Sequence, residues 1–184
     1  MEEGDILRRV RDYVLLRCRD SGNGFERSLE QCMAHTAFLR RYTATDQFIV
    51  ELSVYVSTLY AMYNNGSPFY HRKTDTLPEQ HLENLGVAED DIEHVLRCLA
   101  LSPTHHPEAK KTIEERVVQC ALSMQFITSP THFLFSKAQE MAYPEAVEVT
   151  RRELRRRYHA ITLPHARRRI RGEYKRAKEL LGFR

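Results

Sequence analysis

The sequence has no C-x-x-C pair, no H-E-x-x-H helix, no G-x-S-x-G elbow and no glycine-rich loop long enough to cradle a phosphate. The first absence bears on redox chemistry. Cys18, Cys32, Cys98 and Cys120 lie far apart, each inside a helical pattern. They read as structural thiols in a reducing compartment, cytoplasm or nucleus, and not as a zinc or disulfide framework. The chain opens on acidic Met1-Glu-Glu-Gly-Asp5 with no apolar run behind it, so no signal peptide is expected. Seven glycines and seven prolines are few, and most fall at the joints between periodic segments. No stretch alternates as a half-buried strand would.

What is present is helical periodicity, and one stretch organises it. Asp46–Tyr63 is apolar on every face and carries charge only at Asp46 and Glu51. That pattern predicts a central helix packed on all sides, too polar and too short for a membrane span. Around it the spacing predicts helices over Gly4–Arg19, Phe25–Tyr42, a short one between Thr76 and Gly86, one from Ala88, and one from Thr112 to Ile127. Three more cover Thr131–Ala142, Pro144–Ala160 and Leu163–Leu181. Thr43 or Thr45 is the expected cap of the central helix, with Asp46 at its positive end. The expectation is an all-α chain of about seven to nine helices, forming a single domain over residues 1–184.

Charge is segregated. Residues 151–184 hold 13 Lys/Arg against 3 Asp/Glu, so the other 150 residues sum to −7 within an overall +3. A basic tail on an acidic body fits an anionic partner, or an internal one.

Several phrases, in order, resemble the HD-domain phosphohydrolase superfamily. Gly22-Asn-Gly-Phe-Glu-Arg27 is similar to its first histidine segment, and residues 44–59 to the helix that ends in His-Asp. Residues 77–100 resemble the following helix pair, 112–124 the segment ending Asp-Ala-Asp-Arg-Leu, and 163–181 the closing helix of one branch. The resemblance implies an HD-like helical domain in which histidines and aspartates hold divalent metal, and the metal activates water against a phosphate ester. Carried over residue by residue, the ligands are missing. Asn23 and Arg27 stand for the first two, Ser57-Thr58 for the His-Asp pair, and Leu122 for the final aspartate. A guanidinium repels a metal and Leu122 has no donor. The expected protein therefore has no metal and no cofactor, and it binds, scaffolds or regulates.

Two readings of that pocket stay open. Arg27, Ser57 and Thr58 could line an anion site for a phosphate-bearing small molecule. Alternatively Arg27 pairs with Glu51 or Glu26, Ser57 bonds back to its own helix, and the pocket is filled. His105-His106, between two prolines, are the remnant ligands for a reading as an active phosphohydrolase loaded with manganese, nickel or zinc. His81 and His94 read as surface residues. The tail offers a third reading, a nucleic-acid surface built from Arg155, Arg156, Arg157, Arg167, Arg168, Arg169 and Arg171. Its counterpart has these arginines bridging to the acidic body, for example the 88–93 run. A protein partner or homo-oligomer is compatible with each reading.

Overall fold

The computed structural model describes residues 2–21, 24–63, 77–99 and 111–182. The described residues form nine helices and no strand: α1 Glu3–Ser21, α2 Phe25–Arg40, α3 Gln47–Tyr63, α4 Leu77–Asn84, α5 Glu89–Leu99, α6 Ile113–Thr128, α7 Pro130–Glu140, α8 Tyr143–Ala160 and α9 Pro164–Leu180. The all-α expectation holds, and each helix falls on a segment that periodicity marked out.

α3 is the axis. Every residue from Phe48 to Ala61 is buried except half-buried Glu51. α1, α2, α4, α5 and α6 all pack against it. Removing this many apolar side chains from water, at about 1.5–3 kcal/mol for each large one, explains why a segment with no amphipathic stripe forms a stable helix. Its cap differs from expectation. Asp46 itself accepts from the Phe48 and Ile49 amides at 2.8 and 3.3 Å. Thr43 instead donates to the Leu39 carbonyl at the end of α2. The anionic carboxylate answers both the orphan amides and the helix dipole, which a threonine hydroxyl does not.

Other boundaries follow their local chemistry. Thr112 caps α6 by accepting from the Glu115 amide at 3.2 Å. The Glu115 side chain does not return to the Thr112 amide as in a full capping box; its carboxylate faces Arg97 at 3.8 Å. Gly86 ends α4 at φ +80°, with the Val87 amide reaching back to the Leu82 carbonyl. Thr76, where the short helix is expected to begin, and residues 102–107 around His105-His106 lie outside the described residues.

α8 and α9 form an antiparallel hairpin. Tyr158 stacks on Tyr174 with centroids 3.8 Å apart, and Arg151 donates to the Leu181 and Gly182 carbonyls at 2.7 and 2.8 Å. Both helices lay a buried stripe (Ala146, Thr150 and Leu154; Ala166, Ile170 and Ala177) on α6, so the tail belongs to the same core as the rest. No helix of the described residues is long and apolar enough to cross a membrane.

Candidate functional site

Among the described residues, the HD-like positions Arg27, Ser57, Thr58 and Leu122 share no hydrogen bond or ion pair with one another. Ser57 and Thr58 are buried, and both hydroxyls donate to the same carbonyl, that of Val54, at 2.7 and 3.1 Å. Back-bonding is the general solution in this interior. Thr36 donates to Cys32, Ser53 to Ile49 and Thr150 to Ala146, each at i−4. A buried hydroxyl that satisfies itself on its own helix carries no desolvation penalty and offers its proton to nothing else. Leu122 is buried in the apolar cluster. Arg27 is exposed on α2 and touches neither hydroxyl. Nor does it pair with Glu51, whose carboxylate accepts from Arg40 at 3.2 Å and Gln47 at 2.7 Å. Asn23, His105 and His106 lie outside the described residues.

The two helices that carry Arg27 and Leu122 are instead stitched together. Gln125 donates to the Ser28 hydroxyl at 3.2 Å, and Ser129 donates to the Gln31 amide oxygen at 3.3 Å. One turn further along α2, His35 Nε2 lies 3.5 Å from the Thr128 hydroxyl. Thr128 spends its own proton on the Met124 carbonyl, so the bond requires His35 in the Nε2–H tautomer. His35 Nδ1 is then a buried acceptor with no partner among the described residues. Burial, and secondarily the nearby Arg169 guanidinium, push the His35 pKa down to about 4. This α2–α6 seam was not visible in sequence, because its pairs lie about 95 positions apart.

Among the described residues no three of His, Cys, Asp and Glu cluster as metal ligands would. The four cysteines are free and buried. Burial pushes the Cys32 and Cys98 thiols up to about 12 and Cys18 to about 11, which keeps all three protonated and unreactive near neutrality. His81 and His94 are half-buried and structural, not surface residues. His81 lies against the Tyr13 ring at 4.1 Å, and His94 Nε2 sits 3.3 Å from the Thr112 hydroxyl.

The basic tail divides into two populations. Arg157 is not on the surface at all: it is 5% exposed, lies over the Phe126 ring at 5.3 Å and donates to Glu153. Arg156 shares that carboxylate. Burial alone would push the Glu153 pKa up, yet the two guanidiniums hold it below the usual carboxylate range. Arg167 donates to the Ile161 carbonyl at 2.9 Å, tying the linker to α9, and Arg169 lies over Phe38 at 4.4 Å. These arginines meet acids and carbonyls of their own hairpin, or aromatic rings beside it. None of the described ion pairs joins the tail to the 88–93 run. Arg152 on α8 and Arg168, Arg171 and Lys175 on α9 form the second population, exposed and without an ion pair to another described residue. Arg155 is exposed and near Tyr174.

Compared with known proteins, the chain matches no family model, no curated protein and no solved structure.

Proposed function

We propose that this chain is a non-catalytic, HD-like helical protein that acts by binding. The observation that carries the reading is the pair of hydroxyls at Ser57 and Thr58. The positions where the resemblance would place a ligand histidine and aspartate are spent on the Val54 carbonyl. Leu122 adds only an apolar surface, and the α2–α6 seam closes the space between two of the helices that would have to face a metal. Water activation against a phosphate ester needs a cation held by several neutral imidazoles or carboxylates. Arg27, Ser57, Thr58 and Leu122 supply none.

The test is metal uptake by the intact chain. Purified protein is incubated with manganese, nickel and zinc, desalted, and measured by elemental mass spectrometry. The expected content is below about a tenth of an equivalent for each metal. Retention of close to one equivalent, released by His105→Ala with His106→Ala, would overturn the reading. The chain would then be assayed as a phosphohydrolase on p-nitrophenyl phosphate and nucleotides.

A further inference from the structure

We infer that the outward face of α9 is a binding surface for a single-stranded polynucleotide. The inference adds a partner's chemistry to the binding role. It does not rest on the fate of the HD-like pocket, since a phosphohydrolase could carry the same face.

Positions 165, 168, 172 and 175 recur at helical spacing on the side of α9 opposite buried Ala166, Ile170 and Ala177. Arg171 flanks them. The cations Arg168, Arg171 and Lys175 are exposed, and none is spent on an ion pair with another described residue. From Arg168 to Lys175 the helix rises about 10 Å, enough for about three phosphates of one stacked strand. One acid, Glu179, shares the face, at its far end. Glu173 is paired with Arg176 at 3.2 Å.

Two further observations separate this strip from an ordinary solvated helix. The first is an open aromatic stack at its N-terminal end. His165 lies on Tyr42 with ring centroids 4.0 Å apart and planes 9° from parallel, yet both are exposed, Tyr42 by 51%. Arg169 caps the neighbouring Phe38 ring. A flat, solvent-open pair beside a row of cations is the combination on which unpaired bases stack while their phosphates track the charges.

The second is Gly172. A glycine inside a helix is unfavourable relative to alanine, and here a Cβ would meet nothing within 4 Å. No internal contact requires it. The residues bordering it at i−4, i−3, i+3 and i+4 are Arg168, Arg169, Lys175 and Arg176. The result is a notch with a bare backbone and a basic rim, where a partner can approach closely. An anionic membrane is a poorer match. Such binding uses an apolar helix face, and between His165 and Lys175 the outward face has no apolar side chain larger than the Gly172 hydrogen.

The experiment is fluorescence anisotropy of the full chain with labelled oligouridylate and oligodeoxythymidylate of about twelve nucleotides. A duplex of equal length and phosphatidylserine vesicles serve as competitors. Single strands are expected to bind at about 50 mM salt and to lose affinity with a log–log slope of about −2, the value for three phosphates. Preference for either single strand supports the assignment, and a preference for the RNA shows that a 2′-hydroxyl is read. Arg168→Ala with Arg171→Ala and Lys175→Ala should abolish binding. Tyr42→Ala should cost about tenfold with the salt slope unchanged. Gly172→Ala should raise the melting temperature by about 2–4 °C while weakening binding several-fold. That opposition of signs is one that misfolding cannot mimic. The inference is overturned if neither single strand binds, if the duplex or the vesicles compete as well as the single strand, or if the triple variant binds like the parent. Each of these failures leaves the metal measurement, and the reading it tests, unchanged.

Discussion

Lowering the pH from 7 to 5 should destabilise this protein through His35. The folded pKa is about 4, against 6.5 for the free side chain. The unfolded chain therefore takes up a proton as pH falls through 6.5, whereas the folded chain refuses it until about 4. The stability contributed by neutral His35 is fully present above pH 6.5, declines through the window down to 4, and is flat below it. Integrated between pH 7 and 5, the loss is about 2 kcal/mol. The structural cause is local. A protonated His35 would gain a second N–H at Nδ1, where no acceptor among the described residues waits, and its charge would face Arg169. The assay is urea unfolding at pH 7, 6 and 5 on the parent chain and on His35→Gln, which cannot titrate. His81, whose pKa burial also lowers, titrates in both proteins and cancels in the difference. The parent should lose about 2 kcal/mol more than the variant over this range. Parallel pH profiles for the two proteins would refute the reasoning, as would a His35 imidazole that titrates near 6.5 by NMR.

Two further perturbations follow from the same accounting of buried groups. Arg157→Ala should cost about 2 kcal/mol, because it takes one of two guanidiniums from Glu153, leaving Arg156, and uncovers the Phe126 ring, whereas Arg157→Met should cost distinctly less by keeping the packing. Thermal unfolding of both checks this, and equal costs would mean that the charge rather than the stem carries the contribution. Gly24→Ala should lose about 2 kcal/mol, since Gly24 sits at φ +71° and a Cβ there would lie 2.8 Å from His132 Cε1. Pairing it with His132→Ala should recover the steric part and leave the backbone part, as a double-mutant comparison by calorimetry would show.

The helices were legible because each is a local decision. Apolar spacing, Pro144 and Pro164 at helix starts, and Gly86 and Gly182 at helix ends are read within one or two turns of chain. The buried axis α3 was legible for a different reason, since eighteen residues with two charges have nowhere to go but inside. The cap was misassigned to Thr43 or Thr45 because three capping-type residues compete within four positions. Which one turns its oxygen to the orphan amides depends on the incoming path of the chain from α2. The α2–α6 seam was out of reach altogether. Ser28, Gln31 and His35 look like an ordinary polar flank of α2 until α6 is laid beside them.

The tail shows most sharply what spacing does and does not decide. Arg155, Arg156 and Arg157 are consecutive and chemically identical, so sequence treats them as one basic surface. The hairpin separates them by one hundred degrees of helix each. That rotation sends Arg157 into the core against Phe126 and Glu153, places Arg156 on the outer side of the same carboxylate, and leaves Arg155 exposed near Tyr174. The gross positive charge of the 13 Lys/Arg in residues 151–184 therefore overstates the charge a partner meets. Much of it is neutralised by Glu148, Glu153 and Glu173 or laid over aromatic rings. Charge that folding already uses says little about a partner. The informative residues are those that folding uses least: three cations on the outer side of α9, a glycine there that no contact among the described residues needs, and the exposed His165–Tyr42 pair at the N-terminal end of that helix.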